Sequence, residues 1–236
     1  MARSLKRQEE LQNKRTSHVP PAGSPAVKQA SALRPPRQSR SEESLAKMVL
    51  AGRDLIEQHA NLDLVLINDV IRIAGTSIGA FYGRFRDKDT FVTAVLDAAI
   101  SELQAEAENA LWQNDAWAGG SASEITALVV DHYVDMCRRN QGLFKAILRH
   151  FAARAPDSNP MRHLHRHLQS VFVPALVRKM QPRTGVDAEA EIRMALQMVA
   201  GTLTLTVLTD PGPLGFEGDQ LESKLTAMMQ RFLYLP

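Results

Sequence analysis

The chain has 236 residues, of which 44% are hydrophobic and 23% charged, with a net charge of +2 and one cysteine. This length and hydrophobic content can bury a sizeable core, and the single cysteine excludes an intramolecular disulfide framework. We expect a cytoplasmic protein without membrane contact, because the sequence shows neither an apolar run of membrane-spanning length nor the apolar segment of a secretory signal.

The first 40 residues differ from the rest in charge. They hold nine Lys or Arg against two Glu, a net charge of +7, so the remaining residues carry −5. This segment is rich in Pro, Ser and Ala, and it predicts a disordered basic tail over residues 1–40. Arg34, Arg37 and Arg40 precede the first predicted helix, where a basic arm can follow phosphates or enter a minor groove of DNA. A solvated linker, a start codon placed too early and a transit peptide remain alternatives.

An amphipathic helix is predicted from about Ser41 to His59. Asn61 follows it and is expected to end the helix in a left-handed conformation. The apolar stripe of this helix consists of Leu45, Met48, Val49, Gly52, Leu55 and Ile56.

Two short helices joined by a tight turn are predicted next. Asn68 and Asp69 are expected to cap the first, and Gly75 supplies the conformational freedom for the turn. The second begins near Ser77, and a third begins at Asp87. The apolar residues expected to face the core are Val70, Ile71, Ile73 and Ala74 in the first helix and Phe81 and Phe85 in the second.

The stretch carries a set of residues at fixed offsets: Ala74, Gly75, Ser77, Gly79, Phe81, Tyr82, Phe85, Lys88 and Phe91. With this pattern it resembles the helix-turn-helix domain of the TetR/AcrR family of bacterial transcriptional regulators. The resemblance implies an all-α fold, with a three-helix DNA-binding domain over residues 41–87 and a helical bundle for effector binding and dimerisation over residues 88–236. It also implies that the second helix of the motif enters a major groove. The expected DNA-binding residues are Arg40, Ser77, Ile78, Gly79, Ala80, Tyr82, Arg84 and Lys88.

The rest of the chain predicts helices only. The third helix should reach about Gln113, and Pro174 should kink or interrupt a later one. The other predicted helices are Glu124 to Arg139, a segment from Gly142, Met161 to Gln181, Asp187 to Thr209, and Gly218 to Tyr234.

The last two helices are the expected dimer interface, since a two-fold dimer suits a palindromic operator. An alternative is that they only close the core of one chain. The expected interface residues are Ile192, Ala195, Leu196, Val199, Leu221, Leu225, Met228 and Phe232.

Other candidate sites favour structural interpretations. His163 and His167 share a helix face with metal-ligand spacing, but Arg162 and Arg166 would repel a cation, so we expect no metal. Cys137 is expected to be a buried apolar residue. The ligand-binding residues are not assigned from the sequence. Two readings stay open for a set of aromatic and methionine residues, the lining of an effector cavity and the core, and their helical spacing favours the core: Trp112, Trp117, Met136, Met180, Met194 and Met198.

No catalytic motif or cofactor-binding loop is present in the sequence, so we expect no enzyme and no cofactor. The expected function is that of a dimeric, sequence-specific repressor, released from double-stranded DNA by an unidentified small-molecule effector. The alternatives are a helical ligand-binding protein, or a DNA-associated protein of the same fold that does not act at a local promoter.

Overall fold

Every regular element in the described part of the chain is helical, as the sequence predicts. The computed structural model describes residues 37–113, 115–181, 183–209 and 214–236, so predictions for the tail before Arg37 lie outside the described residues. The α-helices are α1 (Arg37–His59), α2 (Ile67–Ala74), α3 (Ile78–Tyr82), α4 (Lys88–Gln113), α5 (Ala116–Gly119), α6 (Ala122–Arg139), α7 (Gln141–Phe151), α8 (Pro160–Val177), α9 (Ala188–Leu208) and α10 (Leu221–Phe232).

Helix α1 ends at His59, as predicted, but the residue expected to be left-handed is a different one. Ala60 is the residue with a left-handed backbone, at a φ of 49°. Asn61 is extended, and its side chain accepts a hydrogen bond from the backbone N–H of Asp63 at 2.9 Å. Asn61 therefore caps the short 3-10 turn Leu62–Leu64 instead of ending α1, because an Asn oxygen can satisfy the free N–H groups at the start of a turn.

Helix α2 begins earlier than expected. Its first residue is Ile67, and the preceding Leu66 makes no side-chain capping bond, so the prediction that Asn68 and Asp69 cap this helix is wrong. Val70 and Ala74 are buried as predicted, whereas Ile73 is exposed. At the other end, Gly75 has a φ of 61°, which confirms its role in the turn.

The later helices keep their predicted order with shifted ends. Helix α6 begins at Ala122 because Ser121 and Glu124 form a reciprocal capping box, and the single turn α5 was not predicted. Helix α8 runs through Pro174 and stops at Val177, so the expected extension to Gln181 is wrong.

Two glycines allow helices to touch. A Cβ added at Gly52 of α1 would lie 2.6 Å from Cζ of Phe91 in α4. A Cβ at Gly142 of α7 would lie 1.9 Å from the backbone oxygen of Glu57 in α1. Helix α1 therefore packs closely on both α4 and α7, which connects the helix-turn-helix segment to the helices that follow it.

Candidate nucleic-acid interface and small-molecule cavity

Helix α3 has five residues, and its neighbours hold it in place. Ser77 accepts a hydrogen bond from the backbone N–H of Ala80 at 3.1 Å, which confirms the predicted helix start. The buried ring of Phe81 lies 5.3 Å from that of Phe85 and 5.2 Å from that of Phe91, between ring centroids. This aromatic cluster anchors the inner side of a helix that is too short to be stable alone.

The outer side of α3 is open to solvent. Ile78 and Tyr82 are 51% and 53% exposed, Ser77 and Gly79 are exposed, and Ala80 is half-buried. Two large apolar side chains of this short helix therefore lie in water. Of the five predicted contact residues in this segment, four are exposed and Ala80 is half-buried.

Of the three predicted basic contact residues, two form hydrogen bonds within the protein, and the side chain of the third lies outside the described residues. Arg84 donates to the backbone oxygen and the hydroxyl of Ser41 in α1. Lys88 donates from Nζ to the backbone oxygen of Asp63 at 2.6 Å. Arg40 belongs to α1, but its side chain is outside the described residues. Arg84 and Lys88 thus tie α1 and the 3-10 turn to the motif.

Asp87 caps α4, as predicted. Its carboxylate accepts from the backbone N–H of Thr90 at 2.8 Å and from the Thr90 hydroxyl at 2.7 Å. These bonds, with a further one from Arg86, lower the pKa of Asp87 to about 2. Protonation would remove an acceptor from the start of the helix that leads out of the motif.

A cavity of about 590 Å³ lies among α6, α7, α8 and α9. Its apolar lining residues include Met136, Leu148, Leu164, Leu168 and Leu203. Its polar lining residues are Tyr133, Arg162, His165, Gln169, Gln197 and Thr204. An apolar cavity of this size with a few polar groups is typical of a small-molecule site.

Most of the aromatic and methionine residues considered from the sequence lie away from this cavity. Met136 lines it, whereas the ring of Trp117 stacks on Phe172 and Met194 and Met198 are exposed. Cys137 also lines the cavity and is buried as predicted. Burial raises the pKa of the Cys137 thiol to about 12, so this thiol stays protonated.

The histidines of α8 have separate neighbours. Nε2 of His165 lies 3.0 Å from Nε2 of Gln169, and Nε2 of His167 lies 3.2 Å from a carboxylate oxygen of Glu108. His163 is exposed. Within the described ranges, no group of three or more His, Cys, Asp or Glu residues could hold a metal ion.

Comparison with known proteins identifies the fold. A TetR transcriptional regulator from Rhodococcus sp. RHA1 is 16% identical, with a TM-score of 0.53 over 82% of this chain and 97% of that one. A TetR transcription regulator from Haloarcula marismortui is also 16% identical, with a TM-score of 0.55 over 84% and 97%. The chain has the TetR-family fold. This confirms the predicted resemblance at the level of the fold.

Two further comparisons found transcriptional regulators. The transcriptional regulator FadR from Bacillus subtilis, solved in complex with stearoyl-CoA, is 16% identical, with a TM-score of 0.50 over 80% of this chain and 95% of that one. An HTH-type transcriptional regulator from Staphylococcus aureus is 23% identical over 106 residues, or 44% of this chain. The match spans about half of that relative, 54% of its length. No protein-family model matches the chain.

Within this TetR fold, polar side chains join α1 to the helices that line the cavity. The two carboxylate oxygens of Glu57 accept from the backbone N–H groups of Gly142 and Leu143, both at 2.8 Å. Arg53 donates to Asn140, between α6 and α7, at 3.0 Å, and also contacts Glu102 of α4. No local motif in the sequence marks this junction, because its partners lie up to 87 positions apart.

Most residues of the expected dimer interface lie in the core of the single chain. The six that are buried there are Ile192, Ala195, Leu196, Val199, Leu221 and Leu225. Met228 and Phe232 are partly buried against the same core. The exposed apolar residues of α9 are Met194, Met198 and Leu205, which recur at helical spacing.

No helix in the described part of the chain has the length and hydropathy needed to cross a membrane.

Proposed function

We propose that this protein is a sequence-specific, DNA-binding transcriptional regulator, most simply a dimeric repressor that a small molecule releases from its operator. The observation that carries this proposal is the open face of α3. Its inner side is anchored by buried rings, while Ser77, Ile78 and Tyr82 face solvent. The TetR fold and the names of the similar regulators support the same function.

We assign DNA binding to residues 41–87 and effector binding and dimerisation to residues 88–236. Ile78 and Ala80 can pack on thymine methyl groups, and Ser77 offers one hydroxyl to a base or phosphate. Few long polar side chains are available for bidentate base contacts, so phosphates and DNA shape should supply much of the affinity. Arg84 and Lys88 would reach phosphates after exchanging or sharing their present partners.

The polar junction supports coupling between the two parts. Tyr133 and Met136 of α6 and Leu148 of α7 line the cavity, while Asn140 and the start of α7 are bonded to α1. A molecule that shifts α6 or α7 would therefore displace α1 and change the position of α3. Such an effector acts only through different affinities for the two arrangements.

The first experiment is selection of bound duplexes from a random DNA library by the full-length protein at near-physiological salt. We expect a palindromic motif with half-sites about one helical turn apart, or slightly more. The Ile78→Ala variant should change the preference for thymine, whereas Tyr82→Phe keeps the ring and should select the same motif. Enrichment of general A·T richness alone would contradict sequence-specific regulation.

The basic tail is tested through salt. Removing residues 1–39 should reduce the slope of log affinity against log salt, because each lost phosphate contact releases one counterion fewer. An unchanged slope contradicts a DNA-binding arm.

The dimer is tested by analytical ultracentrifugation. We propose that the exposed face of α9 forms it, because Met194 and Leu205 are 52% and 60% exposed in one chain. Met194→Glu and Leu205→Glu should yield monomers with unchanged helicity. A monomeric wild-type protein contradicts this assignment.

A further inference from the structure

Two buried hydrogen-bond donors in the cavity lack partners. Tyr133 is 2% exposed and lines the cavity, and its hydroxyl has no hydrogen-bond partner among the described residues. Burial raises the pKa of Tyr133 far above its usual value, so the hydroxyl keeps its proton. A buried hydroxyl without a partner is costly, so a ligand that accepts its hydrogen bond gains affinity.

The second donor is His165, whose tautomer follows from its neighbours. Arg193 donates to Oε1 of Gln169 at 3.1 Å, and because Arg can only donate, this contact orients the Gln169 amide. Nε2 of Gln169 then donates to Nε2 of His165, at 3.0 Å. Burial lowers the pKa of His165 and favours its neutral form, so Nδ1 carries the proton. Nδ1 is buried and also lacks a partner within the described chain.

The charge of the lining residues is one-sided. Arg162 is the cation among them, and none of the lining residues is Asp or Glu. Arg162 pairs at 3.1 Å with the exposed carboxylate of Asp157, outside the lining set. A cationic ligand would therefore meet donors and a positive charge, with no anion to balance its own.

We infer that the cavity takes a largely apolar, non-cationic molecule whose polar group is a hydrogen-bond acceptor, such as a carbonyl oxygen, held by Tyr133 and His165. The apolar helix faces remove the carbon skeleton from water, and each unpaired donor offers a hydrogen bond to an acceptor. The chemical class of this molecule is inferred from the cavity alone. Its role as the effector rests on the proposed function.

The test is calorimetric titration of the full-length protein with a chain-matched pair, 2-decanone as the acceptor and decylammonium as the cationic donor. We expect 2-decanone to bind and decylammonium to bind at least ten times more weakly. The Tyr133→Phe variant removes one donor and leaves the packing of the ring, so it should weaken 2-decanone binding roughly 2- to 10-fold.

Tyr234→Phe is the matched control, since this exposed tyrosine lies outside the cavity lining and its change should leave binding unaltered. Three results would each overturn the inference. The two probes bind equally well, or Tyr133→Phe binds 2-decanone as tightly as the wild type does, or 2-decanone does not bind up to its solubility limit. The titrations contain no DNA. Failure of the ligand inference is therefore distinguishable from failure of the proposed DNA-binding function, which the operator selection tests.

Discussion

The outer face of α3 and the cavity differ in how far their residues also contribute to the stability of the fold. The exposed residues of α3 are neighbours in sequence, anchored by three rings within eleven positions, and the Ile78 side chain is 51% exposed. The cavity is lined from four helices, and residues such as Leu168 also belong to the hydrophobic core. Changes on the face should alter binding alone, whereas changes in the cavity should alter binding and stability together.

The sharpest test of this difference pairs two truncations. Leu168→Ala should cost about 2–5 kcal/mol of unfolding free energy, because it leaves a hole in a buried cluster. Ile78→Ala should stay within about 0.5 kcal/mol of the wild type, because its side chain is exposed. Urea denaturation measures both, and similar losses would remove the distinction.

The contact between α1 and α7 should be the next most sensitive place. Gly142→Ala drives a Cβ into the backbone of Glu57, which cannot move aside as a flexible side chain could, and should cost about 3 kcal/mol. Gly201→Ala in α9 is the control, since a Cβ there meets nothing within 4 Å. Because Gly201 also lines the cavity and lies on the exposed face of α9, the comparison is made without ligand and on the protein at one fixed concentration, and Gly201→Ala should then lose no stability. Thermal or urea unfolding of both variants decides this, and a stable Gly142→Ala protein would mean that α1 and α7 are free to separate.

Removing the Glu57 carboxylate tests the polar part of the same junction. Glu57→Ala leaves the N–H groups of Gly142 and Leu143 without their acceptor and should cost about 1–3 kcal/mol. Glu57→Gln keeps one oxygen and should lose less. Chemical denaturation compares the three proteins, and if they are equally stable, the junction holds α1 and α7 by packing alone.

The smallest effect concerns the start of α4. The pKa of Asp87 is about 2 in the folded chain against an ordinary 3.8, so its carboxylate stabilises the fold fully above about pH 4. That contribution is lost as the pH falls through about 2. Asp87→Ser keeps a capping oxygen that does not titrate. The stability difference between wild type and Asp87→Ser should therefore stay constant above pH 4 and shift against the wild type below it, and parallel pH profiles would contradict this.

The sequence by itself determined the parts that neighbouring residues build. The all-α fold, the turn at Gly75, the caps at Ser77 and Asp87 and the buried Phe81 and Phe85 follow from capping chemistry, glycine conformation and helical spacing. The local rules went wrong at two places. Ala60 takes the left-handed conformation expected of Asn61, and α2 begins at Ile67 without the side-chain cap expected from Asn68.

Only the tertiary structure decided which apolar helix faces meet one another. The buried side of α9 and its exposed side both carry large apolar residues, so periodicity could not tell the core at Leu196 from the surface at Met194. Likewise, Tyr133 and His165 become unpaired donors in one cavity, and Glu57 meets Gly142, because helices distant in sequence pack together. Such pairings depend on long-range packing, which a pattern read along one chain does not contain.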